Sequence, residues 1–265
     1  IIIGISSVII ITTIGGSIQS TLTATMNSLG GNMVQAYVEA RYPENDEDWA
    51  TWEQPEMTDS DYVTQDMIDG LIEKYPDEVT GVAAQNYLGS GTIKDDADSK
   101  NYANVNIDGI TPEYLEYMKL EMHAGRNLTK ADNQGKKRVC LIADTMAERY
   151  FAGKDPIGET LSVATSDGGI FDFVVVGVYV YNQALFGKVD TSIPEKDRVT
   201  ELMIPLQTCF KLQGTDRTGY DYFNLMILLQ MSIRQQRMFY LILMRCMQTT
   251  KISTSVHTIW HLILA

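Results

Sequence analysis

Few residues of this chain have the company that covalent chemistry requires. His123 is the only histidine before residue 222. A lone imidazole lacks the further ligands of a zinc site, so a structural role is expected for it. Leu88–Gly89–Ser90–Gly91–Thr92 carries two glycines but no Gly-Lys-Ser/Thr ending, and reads as a loop rather than a phosphate cradle. Asp46, Glu47 and Asp48 lack the D-x-[DN]-x-[DN]-G spacing of a calcium loop, which leaves a solvated loop over 43–55. No G-x-S-x-G nucleophile elbow occurs. Carboxylate pairs are abundant, but 34 Asp and Glu against 21 Lys and Arg make chance pairs uninformative. The three cysteines, Cys140, Cys209 and Cys246, form no C-x-x-C pair and imply neither a disulfide framework nor a zinc site. Cys140, inside Val139–Ile142, reads as a small buried hydrophobe. The 13 methionines are scattered as core packing would scatter them. No catalytic, cofactor-binding or metal-binding residue is assigned, no cofactor is expected, and the chain is read as a non-enzyme.

The formal net charge of −13 argues against a nucleic-acid partner, which needs a basic footprint, and against lying on an anionic lipid surface. The charge is unevenly spread. Residues 1–38 carry none, and Glu39 is the first. The chain opens on Ile1–Ile2–Ile3–Gly4–Ile5 and continues through Val8–Ile11, apolar enough for lipid but shorter than the ~20 residues of a full span. A truncated transmembrane helix is therefore expected, with a signal-peptide core as the alternative. Ile18, Leu22, Met26 and Leu29 continue one apolar stripe as a stalk, and Gly30–Gly31 offers its C-cap.

The outer segment alternates short strands and helices. Strands are expected at 33–40, 82–87, 102–107, 138–144, 160–165, 171–180 and 201–206. Thr58 or Ser60 is expected to open a helix lined by Val63, Met67, Ile68, Leu71, Ile72 and Tyr75 and closed by Pro76. Thr111 is expected to cap a short helix reaching Met118. Thr145 and Glu148 are spaced as a capping box, and Gly153 is placed to stop that helix. Asp167–Gly168 signals a hairpin. The fold class is α+β: a transmembrane and stalk helix, then a mixed α/β extracytoplasmic domain with small βαβ-like units. Residues 31–220 are expected to fold alone.

After Asp221 no acidic residue follows, while Arg234, Arg237, Arg245 and Lys251 do. Residues 231–265 have no clean period. Three readings stay open: a basic amphipathic tail, a genuine final helix or strand, and a frameshifted coding region, which the composition favours.

Four segments together resemble the MacB/FtsX-type ABC transporter permeases. Residues 1–40 are similar to the family's first transmembrane helix, stalk and first outer strand. Residues 106–132 resemble its G-R-x-[FL]-T-x-x-D turn through Gly125, Arg126, Leu128, Thr129 and Asp132. Residues 138–163 resemble F-G-x-x-D-P-[IVL]-G through Phe151, Asp155, Pro156, Ile157 and Gly158, with Ala152 standing where the pattern has its first glycine. Residues 171–179 resemble the F-x-V-[VI]-G-V strand. Their order and spacing cover residues 1 to about 206.

The resemblance implies three parts: residues 1–30 as a truncated transmembrane helix and stalk, 31–230 as a MacB-like core domain outside the cytoplasm, and 231–265 as the atypical tail. It implies an ABC ATPase partner, a second permease subunit forming a homo- or heterodimer, the lipid bilayer, and room for a membrane-fusion adaptor. It implies that Gly125, Arg126, Thr129, Asp132, Phe151, Asp155, Pro156 and Gly158 are architectural, with Arg126 and Asp132 as tethers. The function it implies is coupling ATP-driven helix movement to export of an amphiphilic antibiotic, peptide or lipoprotein. The alternative is an FtsX-like module that engages an extracytoplasmic partner such as a cell-wall hydrolase. A third reading is a secreted or single-anchor binding domain.

Overall fold

Strands dominate because β-branched and aromatic residues recur with period two, and tight turns join them. The computed structural model describes residues 33–39, 53, 58, 61–77, 79–95, 98, 100–186, 192–215, 217–227 and 253–257. The expected stalk, the 43–55 loop apart from residue 53, and the domain limits at 30/31 and 230/231 lie outside the described residues. Among those residues no helix is long and apolar enough to cross a membrane.

Eleven strands are described: β1 (Met33–Glu39), β2 (Val79–Ala83), β3 (Gln85–Lys94), β4 (Tyr102–Ile110), β5 (Met122–Gly125), β6 (Val139–Ala143), β7 (Thr160–Thr165), β8 (Ile170–Tyr179), β9 (Val199–Pro205), β10 (Tyr222–Ile227) and β11 (Ser253–His257). The helices are α1 (Gln65–Lys74), α2 (Tyr114–Tyr117), α3 (Lys130–Gln134), α4 (Asp144–Phe151), α5 (Gln183–Phe186) and α6 (Leu206–Leu212).

The larger sheet runs β5-β8-β6-β9-β4-β3-β7 and β7 pairs again with β8. Val163 of β7 lies opposite Ile93 on one edge and Phe171 on the other. The strands from β8 through β6, β9, β4, β3 and β7 therefore close into a ring. Two parallel pairings sit in it, β4 with β9 and β6 with β8. The β6–α4–β7–β8 stretch joins its parallel pair through a helix, so a βαβ-like unit is present. The core contains Ile93, Val105, Ile107, Leu141, Val163, Phe173, Val175, Leu202 and Ile204, each at 1% exposure or less. Cys140 belongs to it, and burial pushes its thiol up. It is the small apolar group that its neighbours imply.

The smaller sheet runs β11-β1-β10-β2, all antiparallel. Met33 faces Met226 across β1 and β10. Only Ala84 separates β2 from β3, so the chain passes directly from one sheet into the other. Thr111 staples that crossing. Its Oγ1 donates to Val82 O (2.9 Å) and accepts from Ala84 N (3.0 Å). Of residues 231–265 the structure describes only β11, which pairs with β1 so that Gln35 lies opposite His257.

Several local expectations are corrected. Leu88–Thr92 is strand, not loop. Leu88 occupies a register shift in β3, and Gly91 lets β7 come close: a Cβ there would sit 2.7 Å from Val163 Cγ1. Helix α1 starts at Gln65, capped by Thr64. Thr58 instead closes its own turn onto Asp61 (2.8 Å from its N–H), and Met67 is exposed. Thr111 does not cap α2, because the sheet crossing takes its hydroxyl. The Thr145–Glu148 capping box does not form. Asp144 Oδ1 accepts from Thr145 N (2.7 Å) and Tyr181 N (3.0 Å), and α4 starts at Asp144, two residues before the start that a Thr145 cap would give.

The small sheet needs β10, so the independently folding unit extends past residue 220. Residues 31–227 expressed alone are expected to melt in one cooperative transition. A broad, non-cooperative melt contradicts this.

Candidate functional site

The residues of the three outer motif segments, far apart in sequence, meet against one strand, β8. Gly125 ends β5 with φ +71, a left-handed conformation that glycine enters freely. A Cβ there would lie 2.5 Å from Val176 O and 2.8 Å from Ile157 Cδ1. The next amide, Arg126 N, donates to Val176 O (2.9 Å). Gly177 answers from β8: a Cβ there would meet Arg126 O at 2.3 Å. So the G-R turn, the D-P-I-G turn and the V-G-V strand are locked at one crossing, where two backbones approach too closely for side chains.

The D-P-I-G segment is a double turn. Asp155 Oδ1 accepts from Ile157 N (3.0 Å), and Glu159 N donates to Pro156 O (3.2 Å). Gly158, at φ +89, takes the left-handed third position that such a turn requires. Its N–H donates to Val175 O (2.8 Å), and Glu159 O accepts from Val175 N (2.9 Å). This aims β7 along β8. Phe151 packs on the core edge, its ring 5.1 Å from that of Tyr150 in an edge contact. Ala152, in place of the pattern's glycine, is itself left-handed at φ 49, ψ 43. A methyl-bearing residue pays roughly 1–2 kcal/mol for that conformation.

Asp132 is the electrostatic centre of the other motif. Its side chain is 1% exposed. Oδ2 accepts from Arg126 Nη1 (2.7 Å), Thr129 Oγ1 (2.7 Å) and Thr129 N (3.0 Å), while Oδ1 accepts from Lys137 Nζ (3.0 Å). Thr129 Oγ1 accepts from Asp132 N (3.1 Å), completing a capping box for α3. Burial alone would raise the Asp132 carboxyl. The bonds from Arg126, Thr129 and Lys137 outweigh it and hold the group well below the usual carboxylate range.

This knot supports one wall of a cleft. Asn127 Nδ2 donates to Pro112 O (2.8 Å), Gln207 N donates to Asn133 Oδ1 (2.9 Å), and Thr208 Oγ1 donates to Lys137 O (2.8 Å). The cleft holds about 270 Å³ and lies between α1, the 111–113 turn, α3, the start of α6 and the 218–220 segment. Ile68, Ile72 and Val82 give it an apolar floor; Asp69, Glu113 and Gln207 supply polar groups. Glu113 is pushed up by burial, opposed by its own backbone contact and by Lys130, which lies 4.0 Å away.

Asp108 and Glu201 lie on the adjacent parallel strands β4 and β9, and burial pushes both carboxyls up. No nucleophile is hydrogen-bonded to a base beside them among the described residues. No cluster of His, Cys, Asp and Glu there is placed to hold a metal ion. His123 sits on β5 away from any such group. Sequence reasoning missed Gln207, Asn133 and Lys137, while Gly177 is the glycine of the F-x-V-[VI]-G-V strand. The Thr129-x-x-Asp132 spacing did signal the cap, whereas nothing local marks Gln207 as a cleft residue.

Two outcomes follow from these contacts. Ala152→Gly is expected to stabilise the fold by about 1 kcal/mol in denaturant unfolding, by relieving the left-handed alanine. Asp132→Ala is expected to cost about 3 kcal/mol, the low end for breaking a buried pair because both cations are half exposed. A carboxyl held below its ordinary value of 3.8 stabilises fully above that pH and loses this as acid protonates it. The gap between variant and wild type should therefore narrow below pH 3.8. A gap constant with pH contradicts the charge account.

The comparisons with known proteins agree with this architecture. The family model described as MacB-like periplasmic core domain matches residues 1–236. The macrolide export ATP-binding/permease protein MacB of Neisseria gonorrhoeae is 22% identical over 196 residues, 72% of this chain and 26% of that protein. The MacB protein of Neisseria meningitidis serogroup A matches to the same extent. The chain thus spans about a quarter of the length of these relatives. Among solved structures, the periplasmic region of MacB from Actinobacillus actinomycetemcomitans aligns with TM-score 0.55 at 15% identity, over 88% of this chain and 91% of the other. The extracellular domain of the noncanonic ABC-type transporter YknZ from Gram-positive bacteria aligns with TM-score 0.53 at 20% identity, over 86% of this chain and all of the other (100%). At such identities these two likenesses speak for the fold. With the family model spanning most of its length, this chain belongs to the MacB-like periplasmic core domain family, whose members lie outside the cytoplasm.

Proposed function

We propose that the chain is the extracytoplasmic part of an ABC transporter permease, and that it transmits helix movement to an exported substrate without covalent chemistry. One observation carries this reading. The strand that enters the domain and the strand that leaves the ring side for the small sheet are neighbours, β1 and β10, with Met33 opposite Met226. Met33 and the end of β10 then lie at one end of the small sheet, and β11, which follows β10, finishes at that same end with His257 opposite Gln35, as an insertion between two membrane helices requires. A push on either root reaches the same sheet and passes through the Ala84 crossing to the rigid ring.

This reading places residues before about 31 in the bilayer and those after it outside. Its partners are an ABC ATPase on the cytoplasmic side and a second permease subunit; a membrane-fusion adaptor would complete the path across a second membrane. The names of the Neisseria relatives make macrolide-like amphiphiles the first substrates to try.

The test uses the full-length permease with its ATPase. A flexible glycine–serine linker inserted between residues 30 and 33 is expected to leave ATP hydrolysis intact and abolish export, measured as drug accumulation in cells. Undiminished export by the linker variant would sink the mechanical reading.

A further inference from the structure

We infer that the cleft between α1 and α6 is a binding site for a primary alkylammonium group, as borne by a lysine side chain or a free aliphatic amine. The inference concerns this cleft alone and stands whether or not the permease reading holds.

Three carboxylates, Asp66, Asp69 and Glu113, line the cleft together with Gln207. Gln207, only 8% exposed, uses its Nε2 to donate to Thr218 O (2.9 Å) and its N–H to reach Asn133 Oδ1 (2.9 Å). Its Oε1 is buried and accepts no hydrogen bond at all. A buried acceptor left unmade costs about 1–3 kcal/mol, which a donor recovers once the Gln207 amide turns its Oε1 out of the wall toward the cleft. Glu113 stands on the opposite side with its side chain 24% exposed. Its nearest cation, Lys130, reaches only 4.0 Å and is itself 64% exposed, so it neutralises the carboxylate weakly. Asp69 supplies a second carboxylate. Gln65 Nε2 occupies its Oδ1 (2.9 Å). Burial, then the Glu113 and Asp69 charges, push the Tyr220 hydroxyl up. Asp69 on α1 and Glu113 in the 111–113 turn line the cleft together with the buried Tyr220, whose hydroxyl donates to Gln65 Oε1 (2.5 Å).

The basic residues do not make this an anion site. Lys130 is exposed and Lys136 half-buried, and both are long side chains free to leave for water, whereas Glu113 and Gln207 are held by the fold. The shape also selects. About 270 Å³ falls at the small end of ligand pockets, and the floor of Ile68, Ile72 and Val82 suits a methylene chain. An alkyl stem over that floor, with an ammonium at its tip, would meet the acceptors with its three donors.

The full chain in detergent micelles should be titrated with n-butylamine, n-butanol and butyrate, followed by saturation-transfer NMR on the ligand. Butylammonium is expected to bind about tenfold or more tightly than either analogue, the worth of a charge-assisted hydrogen bond. Glu113→Gln and Gln207→Leu should each weaken it about tenfold while leaving the thermal melt cooperative. Nα-acetyl-lysine amide separates the two sources. Tighter binding than butylamine assigns the site to a lysine of a protein partner, and weaker binding to a free amine; either ranking supports the ammonium assignment. Equal binding of all three butyl compounds overturns the proposal without reliance on any variant. So does butylammonium binding that neither substitution alters.

Discussion

The closure of the strand ring is the constraint on which the rest of the domain depends. β7 must pair on both edges at once, with β3 and β8, and it can do so only within narrow geometry. On one side Gly91 removes the side chain that would strike Val163. On the other, the D-P-I-G double turn hands β7 to β8 through Gly158 and Val175. A closed ring has no free edge to slip along, so register is fixed by hydrogen bonds and by packing together. That rigidity is what lets the family's motif be short. A few turn residues at the closure point decide the path of two strands.

The Asp132 knot does for the outside of the ring what the closure does for its wall. It is a buried carboxylate, costly unless fully satisfied, and here its bonds from Arg126, Thr129 and Lys137 fix three pieces of chain. Arg126 brings the β5 exit, Thr129 the start of α3, and Lys137 the entry to β6. Because α3 then holds α6 through Asn133 and Gln207, the knot also sets the depth of the cleft. A second clamp acts from the small sheet's side. The Arg217 guanidinium lies between the Tyr62 and Phe210 rings, 4.3 and 4.5 Å from their centroids, and pairs with Asp221.

What was legible in the sequence follows the range of the forces involved. Strands with strong alternation, such as 160–165 and 171–180, were placed to within a residue or so because patterning is local. The hairpin at Asp167–Gly168 was readable for the same reason: Gly168 at φ 92 is a local demand. Errors arose where a side chain had a distant option. Thr111 has the credentials of an N-cap, yet the sheet crossing at Val82 and Ala84 claims its hydroxyl. Thr145 and Glu148 have capping-box spacing, yet the Asp144 carboxylate serves both the helix start and Tyr181. The glycines of 88–92 suggested a loop because a strand's need for a small residue shows only once its neighbour β7 is known. Gln207 was invisible for the same reason, since its role exists only where α3, α6 and the 218–220 segment meet.

The geometry of roots and cleft also constrains how the domain could sense movement. The two roots sit in the small sheet, the Asp132 knot sits outside the ring, and the cleft lies where the two regions face each other. Its α1 wall follows β1 in the chain and packs on β2, while its α3 and α6 walls are tied to the ring. Two connections join the regions: the Ala84 crossing stapled by Thr111, and the 213–221 segment leading into β10, where Val63 N donates to Tyr220 O (3.0 Å). Glu113, beside the staple, and Asp69 on α1 face the cleft from these two sides. If movement of the small sheet alters the separation of Glu113 from Asp69, a ligand in the cleft and that movement bias each other by an equal free energy.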